Sequence, residues 1–297
     1  MAGSIKRSSA ELSMVVVSFI WGAVFVVTKD ALRDIGPFMF LTLRFTLAFI
    51  LLVTMAWKSI QTIRFSTVWY GALLGLFLFI GYSGQTVGLK YTTASNAAFI
   101  TGTSVVLVPI LYALINRKIP ELRTFLTVAG ALAGLFLMSF PDNNLSLSRG
   151  DILVFIGAFG FALHIILVDR YSHQHNAVAI TSIQIIFVGI VSLIIGSMVE
   201  PWPTRLSMTV ASAVLITSLF ATSLAFLLMN ALQKYSTPTR FAIVLTSEPV
   251  FAAIAAYLWT GETLTSRAYI GAAIILLSML ISVITRKHRE PAVQSLG

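Results

Sequence analysis

Residues 240–259 read RFAIVLTSEPVFAAIAAYLW, a stretch in which Glu248 and Pro249 stand among apolar side chains. An α-helix of this length crosses the hydrocarbon core of a bilayer. Because an ionised carboxylate is costly in that core, an acid at such a depth is a candidate functional residue. The stretch therefore predicts a membrane-spanning helix with Glu248 as a functional candidate.

Apolar stretches of similar length recur along the whole chain. Of its 297 residues, 57% are hydrophobic and 10% are charged, and the mean hydropathy is +0.91, more apolar surface than a water-soluble domain hides. The pattern predicts an all-α polytopic membrane protein with ten transmembrane helices. The ten stretches are Glu11–Thr28, Pro37–Trp57, Val68–Leu89, Ala94–Ile115, Phe125–Phe140, Asp151–Val168, Ala177–Val199, Ser207–Met229, Thr237–Trp259 and Arg267–Ile284.

The net charge of +9 is explained by the connections between these stretches. If the N-terminus is cytoplasmic, twelve of the 20 Lys and Arg residues fall in cytoplasmic segments and six in the opposite ones. An excess of basic residues on the cytoplasmic side is the rule for polytopic proteins. We therefore expect both termini in the cytoplasm and basic loops against lipid headgroups. No nucleic-acid partner is expected, because no basic stripe follows one face.

The second half of the chain repeats the first. Residues 90–138 align without a gap on residues 234–282. Matching loop positions are Lys90 with Lys234, Tyr91 with Tyr235 and Arg123 with Arg267. In the earlier helices, a shift of 140 brings Trp21 onto Phe161 and Arg44 onto Gln184. The pattern indicates an internal duplication.

The duplication divides the chain into two five-helix units. We place them at residues 1–140 and 151–297, joined by a connecting loop at 141–150, with a short basic tail after the second unit. Because five is odd, the second unit enters the membrane from the opposite side. Inverted repeats of this kind recur in secondary transporters, whose substrate site lies near mid-membrane between the halves.

Short motifs along the chain resemble those of a known family. They are Trp21-Gly22, Leu43-Arg44-Phe45, Glu248-Pro249, and Gly261-Glu262 followed by Gly271. In order and spacing, over essentially the whole chain, they are similar to the EamA branch of the drug/metabolite transporter superfamily. The resemblance implies two tandem EamA-like units in a bacterial inner-membrane carrier for amino acids or related metabolites, more often an exporter. The first unit departs from the second, since Ser104 and Val105 stand where the second has Glu248 and Pro249.

The candidate substrate-binding residues are Arg44, Trp21, Gln184, Tyr82 and Phe99. Arg44 lies about seven residues into its helix, too deep to reach water easily. One interpretation is a fixed cation beside a cavity, and the other is a structural arginine that ties helix ends together through carbonyl groups. We expect Gln184, its repeat counterpart, to line the cavity as a neutral hydrogen-bonding group. We expect the aromatic residues to form the walls.

The candidate coupling or gating residues are Glu248, His164 and Arg240. Arg240 precedes Glu248 by eight residues, a rise of about 12 Å. The two cannot pair directly, so Glu248 either finds another partner or carries a proton. Proton coupling is one hypothesis, and the other is that Glu248 braces the helix break that Pro249 introduces. His164 is either a proton relay or a packing residue, and Arg240 is near enough to its helix start to reach the headgroups.

Several kinds of chemistry are not supported by the sequence. The chain has no cysteine, which excludes disulfides and thiolate chemistry. His173 and His175 have no third ligand at a suitable spacing, so we expect no metal site. No nucleotide-phosphate loop is present, and the few ionisable groups in the spans do not make a catalytic cluster. We therefore predict neither a cofactor nor an enzyme activity.

The predicted function is secondary transport of a small metabolite by alternating access, with export favoured. Arg44 and Arg240 against Glu248 leave the interior positive or neutral, which favours an amino acid or organic acid. A proton or another ion is the expected coupling partner. Two G-x-x-x-G pairs, Gly71 with Gly75 and Gly130 with Gly134, favour close helix packing and offer a homodimer face. The alternatives are multidrug cation efflux, a membrane-embedded enzyme, and a non-transporting membrane protein.

Overall fold

The structure is a computed structural model that describes residues 2–55, 57, 63–92, 94–117, 119–139, 148–260 and 265–284. The described residues form helices and short connections without a strand. The helices are α1 (Ala2–Ala31), α2 (Pro37–Met55), α3 (Phe65–Gly88), α4 (Ala94–Gly102), α5 (Ser104–Asn116), α6 (Leu122–Ser139), α7 (Arg149–Tyr171), α8 (Ala177–Val199), α9 (Met208–Ile216), a π segment (Thr217–Leu224), α10 (Ala225–Leu232), α11 (Pro238–Leu245), α12 (Glu248–Thr260) and α13 (Ser266–Ile284). The Gly261-Glu262 pair, most of the predicted connecting loop and the basic tail lie outside the described residues.

Seven helical stretches within the described ranges are long and apolar enough to cross a membrane, judged by length and composition. They are Ser9–Ala31, Pro37–Met55, Phe65–Gly88, Ala97–Asn116, Arg149–Gln174, Ala177–Val199 and Met208–Tyr235. The helices Leu122–Met138 and Ser266–Ser282 are apolar but shorter, and the predicted ninth span is divided into α11 and α12. The all-helical class is confirmed, and seven spans stand by this measure where the sequence predicts ten.

Polar side chains mark where several helices begin. Ser148 and Asp151 form a reciprocal capping box at α7, and Asn176 accepts hydrogen bonds from two backbone N–H groups of α8. Ser207 and Thr237 cap α9 and α11 in the same way. Caps satisfy backbone donors that a helix leaves unpaired at its start. The polar residues between apolar stretches therefore set the helix starts.

Helix boundaries repeat between the two halves at the shifts seen in the sequence. Boundaries 140 residues apart are the ends of α1 and α7, at Ala31 and Tyr171, and the starts of α2 and α8, at Pro37 and Ala177. Starts 144 residues apart are Ala94 with Pro238, Ser104 with Glu248, and Leu122 with Ser266. The two halves therefore share one order of helices and breaks.

Equivalent helices of the two halves pack in opposite directions. Gly134 of α6 faces Gly271 of α13, whereas Gly130, one turn earlier, faces Ser278, two turns later. A Cβ atom added at Gly134 would lie 2.7 Å from the Gly271 carbonyl oxygen, so glycine permits this approach. Antiparallel contact between equivalent helices is the arrangement that inverted repeats have.

Both predicted G-x-x-x-G pairs are used inside the chain. Cβ atoms added at Gly71 and Gly75 would lie within 3 Å of Ile183 and Phe187 of α8, and Gly130 and Gly134 face α13. Neither pair is therefore left as the homodimer face that the sequence offered. The G-x-x-x-G spacing therefore serves close packing between helices of the same chain.

Each half contains one helix broken at the same place. The break between α4 and α5 falls at Thr103, and the break between α11 and α12 falls at Thr246 and Ser247. The hydroxyl groups of Thr246 and Ser247 donate to the carbonyl oxygens of Ile243 and Val244, at 2.5 and 2.7 Å. These hydroxyls satisfy carbonyl groups in the turn that the break interrupts. Broken helices with satisfied ends border the central sites of many transporters.

Candidate functional site

A cavity lies between the two halves and is lined by residues that the repeat relates to each other. The related pairs in its lining are Trp21 with Phe161, Val24 with His164, Phe25 with Ile165, Tyr82 with Phe226, Gln85 with Met229, Thr101 with Leu245, Gly102 with Thr246, and Ser104 with Glu248. A site on the pseudo-two-fold axis between inverted repeats has this kind of lining. Its apolar and aromatic walls, with a few polar groups, are typical of small-molecule sites.

Arg44 is the buried cation of this cavity, with 4% of its surface exposed. Its Nε donates to Thr222 Oγ1 at 2.7 Å. Its Nη2 donates to the Tyr82 hydroxyl at 3.2 Å and to the Ala221 carbonyl oxygen at 3.4 Å. The guanidinium also lies over the Tyr82 ring, 4.7 Å from the centroid, a cation–π contact. These partners are uncharged, so they orient the cation without neutralising it.

Arg44 keeps hydrogen-bond donors free for a ligand. A guanidinium has five N–H groups, and those on Nη1 have no partner among the described residues. Within the same ranges no carboxylate forms an ion pair with Arg44. A buried charge without a counter-charge is costly, and arginine suits carboxylate groups because it binds them through paired N–H donors.

The Trp21-Gly22 motif forms one wall of the cavity. The Trp21 Nε1 donates to the Ala221 carbonyl oxygen at 2.8 Å, and the indole lies 5.5 Å from the Phe226 ring centroid. A Cβ atom added at Gly22 would lie 2.5 Å from the carbonyl oxygen of Glu248. The motif therefore combines an anchored aromatic ring with the close approach of α1 to α12.

Glu248 opens α12 and lines the same cavity. Its carboxylate has no hydrogen bond or ion pair within the described part of the chain. The hydroxyls of Thr246 and Ser247 serve the broken turn instead, so the side chain does not brace the break through hydrogen bonds. The first turn of a helix favours a negative charge. The cavity thus holds an acid without a cation as well as a cation without an acid.

His164 lines the cavity, and Gln184 lies behind it. The His164 Nε2 lies 2.7 Å from Gln184 Oε1, which assigns the proton to Nε2 because the amide oxygen only accepts. Gln184 is fully buried, and its own Nε2 has no partner among the described residues. Gln184 therefore does not line the cavity as the sequence led us to expect. Its side chain is shorter than that of Arg44, its repeat counterpart, and ends at the histidine.

Phe99 also lies off the cavity. Its neighbour Ala98 and the residue Thr101 line the cavity, whereas the Phe99 ring packs against Phe136 of α6, with 6.4 Å between centroids. One residue corresponds to a turn of about 100° around a helix, which takes the Phe99 side chain to another face. Tyr82, Trp21 and Arg44 are thus the predicted substrate-binding residues that the structure brings together.

Arg240 lies at the end of the bundle where α1 begins. Its Nη1 lies 3.5 Å from Oε1 of Glu11, and the same oxygen accepts a hydrogen bond from the Ser236 hydroxyl at 2.7 Å. Glu11 is 1% exposed. The repeat relates this contact to one at the opposite end, where Thr92 Oγ1 donates to Asp151 Oδ1 at 2.5 Å. Each contact joins one half to the other.

The cavity lining extends toward the end of the bundle where α1 finishes. There, Thr28 and Leu89 belong to the lining, and Leu89 also borders a second depression. The residues that the repeat relates to these two are Val168 and Gln233, and both are fully buried. Within the described residues, the lining is therefore asymmetric between the two ends.

Sequence reasoning missed several residues of this site. Phe226 and Gln85 line the cavity, and applying the 144-residue shift to Tyr82 would have found Phe226. Thr222 and Ala221 hold Arg44 from the second half. Glu11 was taken only as the first residue of a span. Long-range pairs such as these leave no local pattern in the sequence.

Comparison with known proteins agrees with this two-half arrangement. The profile of the EamA-like transporter family matches residues 8–140 and again residues 148–284. The chain belongs to the EamA-like transporter family. Within the drug/metabolite transporter superfamily, it is similar to an uncharacterized transporter of Archaeoglobus fulgidus, with 35% identity over 94% of this chain and 87% of the relative.

More distant relatives extend the likeness of this EamA protein. The uncharacterized transporter YyaM of Bacillus subtilis is 27% identical over 93% of this chain and 94% of its own length. A chloroplastic WAT1-related protein of Arabidopsis thaliana is 26% identical over 89% of this chain and 66% of its own. A solved crystal structure with 15% identity shares the fold, with a TM-score of 0.77 over 93% and 96% of the two chains. The protein is thus a multi-span helical membrane transporter.

Proposed function

We propose that this transporter is a secondary carrier that moves an amino acid or organic acid across the bacterial inner membrane. The observation that carries the proposal is the buried guanidinium of Arg44, which lines the central cavity and has no counter-charge among the residues that the structure describes. A substrate carboxylate would bind the free Nη1 donors and neutralise the charge in one step. Arg44 would orient the substrate, with Tyr82 and Trp21 beside it.

Between these two classes, an amino acid matches the cavity better. Glu248 offers an unpaired carboxylate in the same lining. Bound through its carboxylate at Arg44, an amino acid would therefore have its ammonium group in a cavity that also contains an acid. The rings of Trp21, Phe161 and Phe226 form walls that suit an apolar side chain.

Efflux of lipophilic cations is a second candidate, and Glu248 is the observation that favours it. An unpaired acid among aromatic rings is an arrangement that attracts organic cations. Arg44 argues against it, because a cation in the same low-dielectric cavity repels another. The two candidates therefore differ in whether the substrate needs a carboxylate.

The proposed mechanism is alternating access around this cavity. We propose ten transmembrane helices, made up of the seven long spans, the shorter α6 and α13, and the broken pair α11 and α12 as the tenth. They form units at 1–140 and 151–297 with a connecting loop at 141–150. With both termini cytoplasmic, as the basic loops favour, the state described here is outward-facing. Export would load substrate from the cytoplasm and release it from this state.

We assign coupling to Glu248, whose carboxylate has no partner in the described part of the chain that a proton would have to displace. His164 borders the same cavity and is the second candidate for proton binding. Arg240 is not part of the cavity lining and pairs with Glu11 across the two halves. Its proposed part is in the movement of the halves.

The test is counterflow into proteoliposomes with L-phenylalanine as the labelled probe. The competitors are 3-phenylpropionate, which keeps only the carboxylate, L-phenylalaninol, which keeps only the amine, and tetraphenylphosphonium. Competition by 3-phenylpropionate is expected, and Arg44→Gln should weaken phenylalanine binding by about 10- to 100-fold, as loss of a charged hydrogen bond predicts. Arg64→Gln, at an exposed position before α3, is the matched control. Competition by tetraphenylphosphonium alone would support cation efflux, and the absence of flux with any probe would count against both.

A further inference from the structure

The eighth predicted span, Ser207–Met229, is interrupted, whereas its counterpart in the first half is not. In the second half, α9 passes into the π segment Thr217–Leu224 and then into α10, whereas α3 in the first half is an uninterrupted α-helix. The residues that precede the two helices, Arg64 and Ser207, are 143 positions apart, and those that follow, Leu89 and Gln233, are 144 apart. The second half thus has one additional residue, which a π turn accommodates.

The π segment faces the two residues that the site depends on. The Ala221 carbonyl oxygen accepts from both Trp21 Nε1 and Arg44 Nη2, and the Thr222 hydroxyl accepts from Arg44 Nε. The Ser218 hydroxyl donates to the backbone carbonyl of Arg44 at 2.8 Å. Because i→i+5 bonding widens the helix, a carbonyl group at this place can serve side chains of neighbouring helices.

The contact between Arg44 and Thr222 has no equivalent at the positions that the repeat relates to these two residues. The repeat relates Arg44 to Gln184 and Thr222 to Leu78, a neutral amide and a buried apolar residue. The extra residue, the π turn and the cation therefore all belong to the same departure from symmetry. Thr222 is fully buried, so its hydroxyl has no competing water.

We infer that the π segment is a positioning device for Arg44, with Thr222 as the residue that sets the direction of the guanidinium. The inference rests on the proposed function in so far as Arg44 binds a carboxylate. Thr222 holds Nε, while Tyr82 and Ala221 hold Nη2, and Nη1 remains free for the ligand. Without the hydroxyl, Nε is released and only Nη2 is held, so the guanidinium loses its fixed direction and the ligand must order it on binding.

The experiment compares Thr222→Val, which keeps the shape but removes the acceptor, with Thr222→Ser, which restores it. Thr127→Val is the matched control, because the Thr127 hydroxyl is also buried, bonds within its own helix α6 and lies outside the π segment. The first measurement is the rate at which phenylglyoxal modifies Arg44 in the purified protein, followed by mass spectrometry of the Arg44 peptide. The second is the KM and maximal rate of L-phenylalanine counterflow.

Thr222→Val is expected to speed modification of Arg44 and to raise the KM by about tenfold with little change in maximal rate, as loss of one hydrogen bond to a charged group predicts. Thr222→Ser and Thr127→Val should behave like the unaltered protein. Faster modification of Thr222→Val, with no phenylalanine flux in the unaltered protein or in any variant, would support the positioning device and overturn the proposed function. Equal modification rates in Thr222→Val and Thr127→Val would overturn the positioning device. A version with Trp21 as its only tryptophan should keep its emission after Thr222→Val, which verifies that the π segment still binds Trp21.

Discussion

The substitution Glu11→Gln tests whether the contact of Glu11 between the two halves is a joint or a gate. A joint persists in both access states, whereas a gate forms in one state only. Glu11 binds Ser236 and Arg240, and the related contact between Thr92 and Asp151 is formed at the opposite end. In alternating access by inverted repeats, the two halves exchange conformations. The contact at one end of the bundle in one access state therefore corresponds to the contact at the opposite end in the other access state. Because both are formed in one state, we expect both to persist in either state, as joints do.

The magnitude follows from the hydrogen bond. A hydrogen bond to a charged group contributes about 1.5–3 kcal/mol and a neutral one about 0.5–1.5 kcal/mol. Glu11→Gln keeps an acceptor oxygen but removes the charge, so we expect a loss of about 1–2 kcal/mol. At about 2–4 °C per kcal/mol, the melting temperature should fall by about 2–8 °C. The balance between the access states should stay unchanged, since both states lose the same contact.

The assay uses the absence of cysteine from the chain. Ala98→Cys places a single thiol on the cavity wall, and a membrane-impermeant maleimide applied to either side of oriented vesicles measures the two access states. Asp151→Asn should leave the labelling ratio unchanged in the same way. Ser13→Ala, whose hydroxyl bonds within the exposed face of α1, should change neither quantity. A shifted labelling ratio with an unchanged melting temperature would refute the joint and make the Glu11–Arg240 pair a gate.

Three further outcomes are expected. Glu248→Gln should abolish the pH dependence of flux and leave the melting temperature nearly unchanged, because the carboxylate has no bond to lose in the described structure; flux that still follows pH would exclude Glu248 as the coupling acid. Gly22→Ala should destabilise the protein by about 1–3 kcal/mol, because its Cβ would lie 2.5 Å from the Glu248 carbonyl oxygen, whereas Gly189→Ala, whose nearest atom would lie 3.2 Å away, should cost less; equal melting temperatures would count against the close contact. Burial and the nearby Arg64 lower the pKa of His175 from 6.5. The neutral form of His175 therefore stabilises the fold at pH values above 6.5, and this stabilisation is lost as the pH falls below 6.5. His175→Gln should remove this part of the acid sensitivity of the melting temperature.

The helical architecture was readable from the sequence because each helix carries its own signal. Apolar length predicts a span, and polar residues such as Ser148 and Asn176 cap the helix starts where the apolar stretches begin. The repeat could be read because two copies keep the same spacing between boundaries. Arg44 and Glu248 were found because charge is rare in a bilayer and therefore conspicuous.

The pairing of side chains could not be read in the same way. Gln184 lies off the cavity because its side chain is short, and Phe99 lies off it because of its position around its helix. Both outcomes depend on the orientation of helices that are distant in sequence. The partner of Arg240 is Glu11, more than two hundred residues away. The π segment reads as an ordinary apolar span, since one additional residue leaves the composition unchanged.

The scaffold and the side chains of this transporter follow different symmetries, and the difference has a physical consequence. Helix breaks, the contacts of Glu11 and Asp151, and the aromatic pairs of the cavity occur in both halves. A symmetric scaffold lets two access states that a two-fold rotation relates have similar energies, which alternating access requires. The charged groups break that symmetry, because Arg44 lies opposite a neutral glutamine position and Glu248 opposite a serine position. A dipolar substrate would thus keep one orientation while the halves exchange, so that the same groups hold it on both sides of the membrane.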